Sequence, residues 1–513
     1  MQMDRMILRA SNPEDVLTVL VSHRGVLFVH NLVTALSSLA TMSHQDLPFS
    51  KFKQLKRPTE YQQCEKDKML EDARYLLLLR DLMDYSSKLD LRSIETILSA
   101  LQQLDHCHYR LMGCLLKRVY AIALTPNDIS VAISVGATLE WAGFGTAESF
   151  YGKLSTLLVS EINSISSMDY LNSLFIFSKL PRLYPSAMEV FAKCMHLHAK
   201  SFSPKQLGFA AIALSTYGGE VIPAVRSSVG EIADELLLRS SSLRDLTRGC
   251  VALRRVNLWH GPLLDRASEV GQEEIRTAGR SATIRLSEPS PATLSDLSQL
   301  VESCAHFGLN AISDLSPFLE QNIDVITEEA AIRFLFGFSM FPTTVVPATA
   351  PLVSLLVRKL GSSAGWEKHK MKIVGIFFSK VVNFAFVDAE IRKLVLDKSL
   401  HHFLVARRGY SVPFPEVSQP LFDALNSEFP DVWKFNAWIP HSPYHADLLS
   451  LDRRIAVLVL SQFDQRGKPV GTDLLQAKHV ESLGWQVLCV DWRVLKQQAR
   501  GTSPSLFKLL VAT

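Results

Sequence analysis

The chain has 513 residues, 47% of them apolar and 20% charged, with a formal net charge of only +3. That apolar share excludes a disordered chain, and the near balance of charge excludes a strongly basic protein that holds polyanions by net charge alone. Seven cysteines with no CxxC pair and no framework spacing exclude a disulfide scaffold and point to reduced thiols.

In chain order, the first ten residues combine Arg5 and Arg9 with an apolar face, in the manner of a transit peptide. Asp4 and the helix start at Asn12-Pro13-Glu14 argue the other way. Asn31–Leu39 predicts a helix of mixed small and large apolar residues, and a polar, basic insert follows over 43–68. The pattern then recurs at Ala100–Leu104, Gly136–Trp141, Leu174–Leu180, Ala211–Tyr217, Val251–Val256, Val301–Phe307, Leu335–Phe341 and Val374–Ser379. Successive starts lie 34 to 40 residues apart, except one step of 50 that takes in a loop over 281–296 with Pro289 and Pro291. Turn signals separate the copies at Thr125-Pro126, Leu180-Pro181, Ser203-Pro204, Gly218-Gly219 and Phe341-Pro342. One helical hairpin cannot bury its apolar stripe alone, so a recurring period of about 37 residues predicts stacked hairpins in an α-solenoid. The array is expected over 1–405, followed by a linker or connecting helix over 406–443. The longest apolar run, Ile373–Val387, is broken by Lys380 and Asn383, so no membrane insertion is expected.

The last seventy residues change character. They predict a strand over His445–Leu449, an apolar strand over Arg454–Ser461, a turn over Gln465–Pro469 and a helix over about 472–482. A strand over Gln486–Val490, a helix around Leu495 and a closing apolar helix over Ser505–Leu510 follow. Short apolar strands alternating with short helices make 444–513 a small α/β unit. The fold class is therefore mostly α, a helical array followed by a C-terminal α/β unit.

Cations are the chemistry-bearing residues that recur. The α/β unit carries Arg453, Arg454, Arg466, Lys468, Lys478, Arg493, Lys496 and Arg500, with Trp485 and Trp492 nearby. On the array, Lys117-Arg118, Arg244, Arg248, Arg254, Arg255 and Arg276 fall on predicted helices. Cations beside accessible aromatic rings suit phosphate contact and base stacking, which makes these residues RNA-binding candidates. The competing view is a solvated helix face with both tryptophans in the core. His106, Cys107, His108 and Cys114, and Cys194, His196 and His198, contain metal-ligand types. Residues two apart on a helix face different ways, however, so no metal site is expected. No glycine-rich phosphate loop or nucleophile signature occurs; Gly361–Gly365 and Gly501–Pro504 are turn chemistry.

Tyr444-His-Ala-Asp447-Leu-Leu, Arg454-Ile-Ala-Val-Leu, Leu475-Gln-Ala-Lys478-His-Val-Glu-Ser-Leu-Gly484-Trp485 and Asp491-Trp492-Arg-Val-Leu495, with Ser505–Leu510, together resemble the RAP domain. That module accompanies helical repeats in organellar RNA-metabolism proteins, including the FAST-kinase-like family. The upstream period is similar to heptatricopeptide arrays. The resemblance implies a degenerate restriction-endonuclease-like fold, residence in the mitochondrial matrix, and RNA, above all mitochondrial ribosomal RNA, as the partner beside ribosomal proteins. A plastid or cytoplasmic home fits it less well. It implies a role in mitoribosome structure or assembly; a transcript-specific processing or stability factor and a protein-binding scaffold are the alternatives. Asp447 falls on the family's first acidic position, whereas the next acidic positions read Leu458, Leu460 and Ser461. A divalent ion needs several oxygen ligands, so no enzyme, metal or cofactor is expected, and Asp447 is read as a hydrogen-bonding residue. Asp464, in the following turn, lies outside the strand pattern.

Overall fold

Polar residues stop one helix and start the next. Asn12 accepts from the Asp15 amide ahead of α2 (Pro13–Ser22), and Asp72 from the Arg74 amide ahead of α5 (Ala73–Asp84). Asp90 does the same for α6 (Leu91–Gln103) and Ser166 for α10 (Ser167–Ser178). Such caps satisfy amides that the first turn leaves unbonded. The computed structural model of the chain describes residues 2–43, 60–144, 147–180, 184–216, 223–282, 291–309, 315–339, 355–356, 359, 415–440 and 444–498. They are mostly helical, with one small sheet near the C-terminus. Among them, no helix is long and apolar enough to cross a membrane.

The chain divides into two compact units, Met1–Ser201 with Thr216–Ala224, and Phe202–Ser215 with Val225–Thr513. The first unit adds α1 (Gln2–Arg9), α3 (Val29–Met42), α4 (Glu60–Glu71), α7 (Tyr109–Ala121), α8 (Ile129–Trp141), α9 (Glu148–Glu161) and α11 (Pro185–His198). Its helices pack in two rows. One runs α1, α3, α6, α8, α10, and the other α2, α5, α7, α9, α11, each helix against its neighbour in the row. Leu36, Leu39, Ile97, Leu101, Val135 and Leu174 line the first row and are fully buried.

The second unit begins with α12 (Pro204–Ser215), α13 (Pro223–Arg239), α14 (Leu243–Arg255), α15 (Gly261–Ala282), α16 (Pro291–His306), α17 (Leu315–Gln321) and α18 (Glu328–Ser339). Here α12, α14, α16 and α18 form a row, while α15 touches α14, α16 and α17. The row is close-packed at Gly337 of α18, where a Cβ would stand 2.2 Å from Val301 Cγ1 of α16. Within the described residues, the recurring segments that start at Asn31, Ala100, Gly136, Leu174, Ala211, Val251, Val301 and Leu335 fall on α3, α6, α8, α10, α12, α14, α16 and α18, the row helices of the two units. The copy at Val374–Ser379 lies outside the described residues. The polar insert and the expected loop both contain helix. Residues 60–68 of the polar insert belong to α4, and 291–296 of the expected loop open α16, where Pro291 sits in the first turn and removes no needed donor.

The unit ends in α19 (Pro415–Glu428), β1 (Lys434–Trp438), β2 (His445–Ser450), β3 (Ile455–Leu460), α20 (Gly471–Ser482), β4 (Gln486–Asp491) and α21 (Trp492–Gln498). The strand order is β1-β2-β3-β4, antiparallel at the first two pairings and parallel at the third, with α20 as the crossover. Ala456, Leu458 and Leu460 of β3 face Leu475 and Val480 of α20 together with Ala305 of α16 and Phe336 of α18. Ile455, Val457 and Val459 face Leu421 and Leu425 of α19 and Leu495 of α21. Burial on both sides explains why β3 is continuously apolar. The segment expected as a linker supplies α19 as a connecting helix, but also β1, an edge strand of the sheet. Five residues with Asn436 at φ +46° give a weak strand signal. The closing helix at Ser505–Leu510 lies outside the described residues.

Candidate nucleic-acid interface

The carboxylates of the α/β unit bond to backbone amides. The β2–β3 ladder stops at Leu448 opposite Val457, and the next donor, Val459 N–H, reaches the Asp447 carboxylate at 2.8 Å instead of a carbonyl. The Ser418 hydroxyl of α19 donates to the other Asp447 oxygen at 3.0 Å, and burial raises the pKa of this carboxyl. Leu458 and Leu460 are core residues. The Asp464 carboxylate, fully buried, accepts from the amides of Arg466 and Lys468, and Asp473 accepts from those of Ser461 and Gln462. Among the described residues, no group of three or more His, Cys, Asp or Glu is placed to hold a metal ion. His106 bonds Tyr75 Oη at 2.8 Å, His108 caps α7 through the Leu111 amide, and His198 meets Ser167 Oγ at 3.1 Å.

The nine cations singled out in the sequence do not form one patch. Arg453 and Arg454 precede β3, whereas Arg466, Lys468, Arg493 and Lys496 follow β3 and β4, at the opposite end of the parallel pair. Three are held by carboxylates. Arg466 pairs with Asp464 at 2.6 Å and lies 3.8 Å over the Trp259 ring; Arg493 grips Asp491 through two nitrogens; Arg254 pairs with Glu302. Arg453 stands over Phe429 and Lys496 over Trp492. Arg454 is exposed in the β2–β3 turn at φ +52°, a conformation costly for a residue that carries a Cβ. Lys478 is half-buried, and burial lowers its pKa. Lys468 and Arg255 are exposed. Trp485 and Trp492 pack against the two faces of the sheet core, so neither ring is an open stacking platform. Arg118 donates to Leu89 O at 2.8 Å, and Arg500 lies outside the described residues.

One arrangement combines sequence spacing with the packing of α14. Arg244, Arg248 and Arg255 of α14 fall within about 40° of one another around the helix, at 3.6 residues per turn. Arg244 and Arg255 are exposed. Arg248 lies 4.1 Å over the Phe209 ring of α12 and bonds Asp245 at 3.1 Å; burial, then the charge of Arg244, lowers its pKa. Asp296 of α16 faces Arg244 and Arg248, its pKa raised by burial. Arg254 and Arg333 of α18 flank Glu302 of α16. With a rise of 1.5 Å per residue the three arginines stand about 6 and 10 Å apart along α14. A cation that the sequence did not single out is Arg226 of α13, which donates to Val256 O at 3.0 Å. Neither a family model nor a curated protein matches this sequence.

Proposed function

We propose that the protein is a non-catalytic RNA-binding protein of the mitochondrial matrix, associated with ribosomal RNA in the structure or assembly of the mitoribosome. In this proposal the two-row helical array is a heptatricopeptide-like α-solenoid and the sheet unit is a RAP domain with a degenerate nuclease core. The observation that supports RNA binding is the pair of exposed arginines, Arg244 and Arg255, on one face of α14, with Arg248 between them held by Asp245 and Phe209. Exposed cations neutralise phosphates and release their counterions. The non-catalytic part is supported by Asp447, Asp464 and Asp473, whose oxygens accept from backbone amides, and by the two core leucines beside them. The organelle and the ribosome rest on the resemblance of the last seventy residues.

The test is crosslinking with RNA sequencing from purified mitochondria, alongside gradient sedimentation. Fixed ribosomal RNA crosslinks and co-sedimentation with a subunit are expected. Crosslinks confined to messenger or precursor ends in light fractions would replace the ribosomal role with a transcript-specific one. A chain that crosslinks to no RNA and sediments with a protein partner would overturn RNA binding.

A further inference from the structure

Arg226 sits at the fourth position of α13, partly buried. Its Nε donates to Val256 O, and its Nη atoms meet no acceptor among the described residues. The segment that receives it is tied to the turn after β3. Trp259 N–H donates to Gln465 Oε1 at 2.7 Å, Gln465 Nε2 donates back to Trp259 O at 2.7 Å, and the Arg466 guanidinium covers the Trp259 ring. The same turn holds Asp464. Leu460, at the end of β3, is in register with Asp491 at the end of β4, and Asp491 holds Arg493. Arg226, Arg466 and Arg493 therefore gather where the two parallel strands end. The electrostatics agree: Arg226 is affected first by burial, then by the positive charge of Arg493, with Asp464 and Asp491 opposing.

The two carboxylates there are already engaged. Asp464 takes the Arg466 and Lys468 amides on one oxygen and the Arg466 side chain on the other. Asp491 takes the Arg493 amide and side chain. Among the described residues, three guanidinium groups thus meet two carboxylates, which leaves positive charge and donors without an acceptor there on a partly buried arginine. Arginine's planar fork fits phosphate oxygens, and the carboxyl end of parallel strands is where open α/β sheets take ligands.

We propose that Arg226 and Arg493 form a phosphoryl-binding subsite at the carboxyl end of β3 and β4, taking one phosphate of a bound RNA. The source of the phosphate rests on the RNA-binding proposal; the subsite chemistry does not.

Two measurements on the full-length chain separate them. The first is thermal unfolding with inorganic phosphate against chloride at fixed ionic strength. The second is fluorescence anisotropy with one single-stranded oligoribonucleotide carrying either a 5′-phosphate or a 5′-hydroxyl. Phosphate is expected to raise the Tm of the wild type and not that of Arg226→Gln. The variant should bind the phosphorylated probe about tenfold more weakly, the loss of one charge-assisted bond. A loss confined to the phosphorylated probe identifies an RNA end as the ligand, and equal losses on both probes identify an internal phosphodiester. A Tm rise with no binding of either probe keeps the subsite and ends the RNA proposal. No rise in the wild type, or an equal rise in the variant, overturns the subsite. If Arg226→Gln fails to fold, Arg493→Gln takes its place with the same expected outcomes, its side chain being 42% exposed.

Discussion

The row α3, α6, α8, α10 of the first unit and the row α12, α14, α16, α18 of the second share a packing scheme and differ in what they show to solvent. Over α3 and α6 a groove of about 510 Å³ is lined by Thr34, Ser37, Ser38, Thr41, Ser93 and Thr96, with Arg92 as its single guanidinium. The second row instead exposes Arg244 and Arg255 on one helix, with Arg248 turned onto Phe209 and with Arg254, Glu302 and Arg333 crossing between neighbours. Stacking fixes only the residues that face the next helix; the outward positions are free to carry hydroxyls in one row and guanidinium groups in the other. A repeat period therefore informs on architecture, and the outward residues inform on function.

The largest expected effect breaks this comparison directly. Arg244→Gln with Arg255→Gln should weaken RNA binding by tenfold or more and reduce the magnitude of the salt slope by about 1.4, at about 0.7 per phosphate contact on a single strand. His30→Gln with Arg92→Gln on the first row should leave both unchanged in the same anisotropy titration. Equal losses from the two pairs would erase the distinction.

Packing sharpens it next. Gly337→Ala places a methyl into Val301 of α16 and should destabilise the second row by about 1–3 kcal/mol in denaturant unfolding. Asp447→Ala leaves the buried Val459 amide without its acceptor and should cost about 1–3 kcal/mol, whereas Asp447→Asn keeps an acceptor and should cost less.

His306 at the end of α16 gives a pH dependence. Burial pushes its pKa down to about 3, and its Nε2 bonds Asn257 Oδ1 at 2.9 Å. The unfolded chain takes up this proton near pH 6.5 and the folded chain does not. The stability is therefore present above pH 6.5 and falls as pH drops toward 3, by up to about 1.4 kcal/mol per unit. Unfolding of His306→Gln between pH 6.5 and 4 should lack that component. The smallest effect returns to the first unit. Gly113 of α7 has open space around it, so Gly113→Ala should stabilise by about 0.5–1 kcal/mol, opposite in sign to Gly337→Ala.

Much of the fold was legible in the sequence because burial leaves periodic traces. The recurring small-and-large apolar segments mark the row helices, and Ile455–Leu460 marks a strand covered on both faces. β1 left little trace, because an edge strand of five residues needs no continuous apolar run. The site was less legible. Asp491 stands two residues before Arg493, so their pairing was open to inspection in the sequence. The pairing of Arg254 with Glu302 joins residues 48 positions apart and requires the packing of α14 on α16. Arg226 gives no signal at all, since its neighbours come from the α14–α15 connection, the turn after β3 and the end of β4. Arg244, Arg248 and Arg255 had the spacing of one helix face, but only the packing showed that Arg244 and Arg255 stay exposed while Arg248 lies against Phe209 of α12 and is held by Asp245.

The most direct measurement is the binding of the full-length chain to single-stranded RNA across a series of salt concentrations. The expected result is a linear fall of log K with log salt, with a slope of about −1.4 or steeper from the two exposed arginines of α14, Arg244 and Arg255, at about 0.7 per phosphate. No binding at low salt, or an affinity independent of salt, would contradict it.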